Sequence, residues 1–182
     1  MIEIRPARRD DADSIARAHV DAWRAAYRNS FTAEYLDADE FEASRVDRWR
    51  SWSWDSLVGS QLFVPVLNGH VVGFGHAGPE RDEPTCDASG SEIAVPTAPT
   101  RGEVYGFYVH PDSWGSGAAA PLMAACVAHL REAGFAEAVL WVLLDNPRAR
   151  GFYEKVGWSP AGVVGEFDGV PELQYSISLA TT

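Results

Sequence analysis

The chain has 182 residues, a formal net charge of −11 at pH 7 and 46% hydrophobic residues. One domain spanning 1–182 with a sizeable core is expected from that length, and a chain this acidic has no surplus cations with which to displace counterions from a nucleic acid. Two cysteines are too few for a disulfide scaffold or a zinc site, and the lack of a long apolar run or a signal-like N-terminus sets the expectation of a cytoplasmic protein without a membrane partner.

Residues 1–5 alternate Ile2 and Ile4 with charged side chains and read as a first strand closed by Pro6. Asp10 and Asp13 resemble a capping box ahead of a helix carrying Ile15, His19, Ala22, Trp23 and Ala26 at helical spacing. Trp23 and Tyr27 lie four apart on one face, where they can line a pocket together or pack into the core. Asn29 and Ser30 interrupt the pattern. Residues 34–54 then look mostly helical, and Trp49, Trp52 and Trp54 read either as a ligand platform or as a helix end docked on a sheet.

Residues 61–67 and 71–77 are two strands split by Asn68-Gly69, the strongest short hairpin signal. Pro65 points to an edge position or a bulge, while Gly73 and Gly75 leave room for a neighbouring side chain or a ligand. Residues 78–102 form a long acidic, Pro-rich connection with a short strand-like stretch at 92–95. It is either a solvated insert or a flap over a site. His70, His76 and His110 sit at turns or strand ends without metal-ligand spacing, so no metal is expected.

Residues 103–109 are rich in aromatic and β-branched types and read as a strand ended by His110-Pro111-Asp112. A run of small residues, Gly115 to Ala120, then leads into a helix in which Pro121 falls in the first turn. Gly115 and Gly117 let backbone N–H groups converge, and the helix start adds unpaired N–H groups and a positive dipole end: an anion-sized turn, or simply a close-packed one. It is neither the dinucleotide fingerprint nor a phosphate loop of nucleotide hydrolases, whose flanking residues are missing. Leu122, Ala125, Cys126, His129 and Leu130 give the helix its buried stripe, and Gly134 stops it. A strand over 138–144 follows. Asp145-Asn146-Pro147 starts a second helix, containing Phe152, Tyr153 and Val156 and ended by Gly157. Asp168-Gly169 turns a last hairpin whose final strand begins near Pro171. The order predicts an α/β fold: a mixed sheet with helices on both faces, and the glycine turn at the carboxyl end of a parallel strand.

GFYVHPDSWGSGAAAPLM followed by VLWVLLDNPRARGFYEKVGW resembles the two signature segments of the GCN5-related N-acetyltransferases, and the opening residues are similar to that family's first strand and helix. Gly117 and Ala119 match the first motif, but Trp114 stands where the family has Gln or Arg. The resemblance implies a mixed, mostly antiparallel central sheet of about seven strands with a splayed parallel pair and helices on both faces, and an acyl-coenzyme A, acetyl-CoA as acyl donor, as cosubstrate. Its diphosphate would rest on backbone N–H groups of Gly115, Ser116, Gly117, Ala118, Ala119 and Ala120, with Trp114 covering it. The pantetheine would run along Phe107, Tyr108 and Val109 and meet Asn146 near the thioester, beside Phe152. Arg148, Arg150 and Lys155 are candidate partners of the adenosine 3′-phosphate. Tyr153 is implied as the acid that protonates the leaving thiolate, Val109 N–H as the oxyanion donor and Glu103 as the base. Trp23 and Tyr27 would shape the site of an amine acceptor, for which the acidic chain favours a cation. The implied function is direct N-acetyl transfer to a small-molecule or peptide amine in a ternary complex, by a monomer or homodimer. An inactive acyl-CoA-binding sensor is the alternative.

Overall fold

The computed structural model describes residues 1–54, 59–81 and 101–180. Cys86, the strand-like stretch at 92–95 and most of the acidic connection lie outside the described residues. Strand β1 (Ile2–Pro6) includes Pro6 and leads through a short 3-10 turn into α1 (Ala12–Ala26). The junction is tied by Asp11 rather than by Asp10 and Asp13. The Asp11 carboxylate accepts from the Arg8 N–H at 2.7 Å and from the Arg5 guanidinium at 2.7 and 2.8 Å, whereas Asp13 pairs with Arg50 at 2.7 Å.

The stretch expected as one helix over 34–54 is two, α2 (Ala33–Leu36) and α3 (Asp39–Arg50). Thr32 caps the first through its side chain. Trp49 is buried, and Trp52 and Trp54 pack against the same cluster, so the three tryptophans dock the end of α3 and are not a ligand platform.

Asn68 and Gly69 take φ of 51° and 84° and turn β2 (Gln61–Leu67) back into the short β3 (His70–Val71) and then β4 (Gly73–Pro79). Strand β5 (Gly102–Val109) follows, then α4 (Ala119–Glu132), β6 (Glu137–Leu143), α5 (Pro147–Lys155), β7 (Ser159–Phe167) and β8 (Val170–Ser178). Among the described residues they form one eight-stranded sheet in the order β1-β2-β4-β5-β6-β8-β7, with β3 beside β2, in which only β5 and β6 run parallel. The neck of the acidic connection is closed by the Glu80 N–H donating to the Arg101 carbonyl at 2.9 Å and by the Arg101–Glu80 ion pair.

Alternation along the strands sorts the core into two faces. Leu62, Val64 and Phe74 meet Ile15 of α1 and Trp49 of α3. On the other face Ala77, Val104 and Leu140 meet Met123, Cys126 and Leu130 of α4 and Tyr153 of α5. Burial of that second layer fixes α4 and α5 on the same side, one on each side of the parallel pair.

Candidate active site

Strands β5 and β6 pair through only three residues each: Gly102 with Ala138, Glu103 with Val139 and Val104 with Leu140. Beyond that point they part. On its other edge β5 pairs Val104 with Ala77 and Gly106 with His76, so Tyr105 is an extra residue, a β-bulge. The bulge shifts the alternation by one. Val104 and Phe107, three apart, therefore both face the α4 side of the sheet, and the outer half of β5 bends away from β6. A cavity of about 460 Å³ occupies the gap. Phe107 stacks on Phe152 across it, with ring centroids 5.6 Å apart and planes at 15°.

The exposed edge of β5 is a row of backbone groups. His110 N–H donates to the Val72 carbonyl at 2.8 Å, on the β4 side. Alternation then turns the Val109 and Phe107 N–H groups to the opposite, cavity side, where no strand among the described residues meets them. Val109 also presents its carbonyl there, and the Trp114 indole N–H donates to it at 2.8 Å. Trp114 thus pins the end of the strand.

The glycine turn is built by backbone conformation. Gly115 and Gly117 hold φ of 79° and 89°, a region costly for any other residue. Ser116 N–H goes to the Ser113 carbonyl at 3.2 Å and Ala118 N–H to Ser116 Oγ at 3.3 Å. The N–H groups of Gly115, Gly117, Ala119 and Ala120 find no such acceptor among the described residues, and Ala118, at the start of α4, supplies no side-chain cap. Four free donors at the positive end of a fourteen-residue helix make an anion cradle, and it opens onto the cavity. Arg148 reaches across from α5 and places its guanidinium 4.1 Å from the Trp114 ring centroid. Lys155, seven residues on, lies on the same cavity wall. Arg150 does not: it donates to the Tyr175 hydroxyl at 3.3 Å and to the Leu144 carbonyl at 3.1 Å, bracing α5 against β8.

At the other end of the cavity a group of phenols surrounds Asn146. The Asn146 side-chain oxygen caps α5 by accepting from the Ala149 N–H at 3.1 Å, which turns its amide nitrogen toward the Tyr27 hydroxyl in the cavity that both line. Tyr27, Tyr108 and Tyr153 line the same space. Burial pushes the Tyr153 phenol well above the usual tyrosine range, with smaller contributions from Tyr108 and Cys126. Burial does the same to Tyr27 and Tyr108, each of which acts on the other. All three hydroxyls are therefore neutral donors at pH 7. Trp23 is buried behind Tyr27, edge-on to it at 4.9 Å, so Tyr27 faces the cavity and Trp23 supports it.

Glu103 lies apart from these groups. It is 3% exposed, and its carboxylate accepts from the Arg81 backbone N–H at 2.9 Å and from the Arg81 side chain. Val104, its neighbour, faces the cavity; strand alternation sends Glu103 the other way. Two features of the site are absent from the sequence reading: the Tyr105 bulge and the Tyr108 phenol beside Tyr27. Only the bulge had a signal, the pair of β-branched and aromatic runs on either side of Gly106.

Comparison with known proteins agrees with this geometry. The sequence profile of the acetyltransferase (GNAT) family matches residues 20–158. An uncharacterized N-acetyltransferase, YuaI of Bacillus subtilis, is 31% identical over 150 residues, covering 81% of this chain and 75% of that one. Among solved structures, YncA of Salmonella typhimurium, crystallised with acetyl-CoA, superposes with a TM-score of 0.68 at 18% identity, covering 100% of this chain and 96% of that one. The PaiA N-acetyltransferase of Thermoplasma acidophilum, in complex with coenzyme A, gives a TM-score of 0.67 at 17% identity over 98% and 99% of the two chains. The matched profile spans the glycine turn, the split strand pair and the Asn146–Tyr153 segment together, and the chain belongs to the GNAT family of acetyltransferases.

Proposed function

We propose that the protein transfers the acetyl group of acetyl-CoA directly to a primary amine bound in the same cavity. The observation that carries this reading is the junction of three groups in one enclosed space: the unpaired Val109 N–H, the Asn146 amide and the neutral Tyr153 hydroxyl. The diphosphate lies on the free N–H groups from Gly115 to Ala120, with Arg148 and Lys155 beside it. The pantetheine arm takes the place of a strand along Phe107, Tyr108 and Val109, over the Phe152 ring, and its amide meets Asn146.

The free amine attacks the thioester carbonyl carbon, and the C–N bond forms as the carbonyl π electrons move to oxygen. Val109 N–H donates to that oxyanion. Collapse of the intermediate breaks the C–S bond, and the thiolate takes the proton of Tyr153, which is regained from water. The amine nitrogen loses its surplus proton to water. Glu103 is held by Arg81 and turned away from the cavity, so a base role for it requires release of Arg81 and a relaying water.

The assay is release of free thiol from acetyl-CoA across a panel of amines. Tyr153→Phe should lower kcat by about 10²-fold with little change in acetyl-CoA affinity. Because the Tyr153 pKa is raised, its acid form persists through pH 10, so the wild-type kcat should show no alkaline fall from this group below that pH. Tight acetyl-CoA binding without thiol release by any amine would instead mean an acyl-CoA sensor.

A further inference from the structure

The cavity passes through the sheet, and its two sides differ. The Phe107–Phe152 stack and Tyr153 lie on the side of α4 and α5, where the glycine turn also opens α4. From the other side the cavity is lined by Ala22 and Ala26 of α1 and by Tyr27 just after them. Tyr108 joins that group, its ring centroid 4.8 Å from that of His19 on α1. With acyl-CoA on the α4 side, the α1 side is left for the acceptor.

Trp141 of β6 borders the split on that side. Its neighbours Leu140 and Val142 belong to the core under α4 and α5, so alternation turns Trp141 to the α1 face, where it lines the cavity. Leu140 makes the last rung of the β5–β6 ladder, which leaves Trp141 as the first residue of β6 beside the gap. Tyr153 stands at the same level on the opposite face: its ring is 6.2 Å from that of Tyr175, the partner of Leu140 on β8. The acid of the proposed reaction and the indole therefore flank the split from opposite faces. Across the gap β5 leaves space. Gly106 faces the α1 side, where a Cβ would meet Phe74 and Tyr108. Tyr105 is drawn toward β4, with its hydroxyl donating to the Pro79 carbonyl and its ring 4.7 Å from that of His76.

Gly165 of β7 makes room for the indole. A Cβ there would lie 2.9 Å from Cζ3 and 3.2 Å from Cη2 of Trp141, so the ring reaches from β6 across β8 to β7. Trp141 is only half-buried, and among the described residues it makes no hydrogen bond and no contact with another ring. The charged side chains among the described residues that line the cavity are Arg148 and Lys155, both at the diphosphate end. The Glu172 carboxylate lies beside Gly165 but does not line the cavity.

We infer that Trp141 is the platform for the body of the acceptor, and that the acceptor is a primary amine carried on a flat, uncharged aromatic group, which packs against the indole in the space that Gly106 leaves. This rests on the acetyl-transfer reading above and names its substrate class. It also narrows what the whole-chain charge suggests. The net −11 favours a cationic partner, but the amine that reacts is the one charge this end of the cavity takes. A second ammonium would find no carboxylate, and a carboxylate no cation, among the described residues that line it.

Two measurements test it. Thiol release from acetyl-CoA is followed with phenethylamine, cyclohexylethylamine, putrescine and phenylalanine, for the wild type, Trp141→Ala, Trp141→Phe and Gly165→Ala. Separately, calorimetry follows the N-acetyl derivatives of the same four amines titrated into the protein–CoA complex, which needs no turnover. The wild type should favour the phenethyl compound over the other three in both readouts, by about tenfold or more for putrescine and phenylalanine. Trp141→Ala should erase that preference and Trp141→Phe keep part of it. Gly165→Ala, which displaces the ring without altering the lining, should weaken it, and all three variants should bind CoA as the wild type does. An unchanged preference in Trp141→Ala, equal use of the phenyl and cyclohexyl amines, a preference for the diamine or the amino acid, binding of none of the four, or a loss of CoA affinity with Trp141 would overturn the inference. Aromatic binding that depends on Trp141 without thiol release would uphold the inference and overturn acetyl transfer; thiol release that ignores Trp141 would do the opposite.

Discussion

Gly75 shows how closely the site depends on single atoms. A Cβ at this position would lie 2.7 Å from Cys126 Sγ and 3.4 Å from both Leu122 and the Phe107 ring. Gly75→Ala should therefore destabilise the fold by about 1–3 kcal/mol, and Cys126→Ala in the same chain should recover part of that, measured by chemical denaturation; strictly additive losses would refute the contact. Because Phe107 is also the floor of the cavity, the single variant should weaken acetyl-CoA binding as well. The sequence showed that Gly75 makes room for something, and the structure supplies the neighbour. Other residues were legible only in part. Arg148 and Lys155 share the cavity wall, but Arg150 stands two residues from Arg148 and so on another face of α5. The base role of Glu103 is implied only by the family resemblance, and which face a residue of β5 presents depends on a phase that the Tyr105 bulge resets. Trp114 was visible as a departure from the family motif. Its bond to the Val109 carbonyl was not, since that depends on the path by which the chain leaves β5.

Among the elements, both hairpin turns and the start of α5 were readable because their determinants are local: Asn68-Gly69, Asp168-Gly169, and Asn146 followed by proline. The junction of β1 with α1 was not. Its anchor, Asp11, accepts from the Arg8 N–H at capping-box spacing, one residue away from the Asp10–Asp13 pair, and is held as well by Arg5, six residues upstream on the strand. That anchor has a pH signature. Hydrogen bonding from Arg5 holds the Asp11 carboxyl below its ordinary pKa, against the opposing effect of burial. A depressed folded-state pKa contributes stability that is present above the unfolded value and is lost as pH falls through the folded one. Asp11→Asn should cost about 1–3 kcal/mol at pH 7, and the gap between variant and wild-type melting temperatures should close on acidification below about pH 4.

At the scale of the molecule, the order of elements and the mixed sheet with a splayed parallel pair follow the sequence reading, with eight strands rather than about seven. Arg45 is the clearest example of what escaped it. It is an ordinary charged residue of a polar helix until tertiary packing lays it on Trp23, 22 positions earlier in the chain. The splay has a mechanical consequence. One leaf of the sheet is β1-β2-β4-β5 and the other is β6-β8-β7, and the ladder that binds them has three rungs. The molecule is an open book with a short spine, and a pantetheine arm lying along β5 would act as a bookbinder's stitch above it. Saturating acetyl-CoA should then slow amide hydrogen exchange most at Phe107 and Val109 and along β6, and least at the far page edge of β1 and β2. An even slowing across the sheet would mean that the two leaves already open as one.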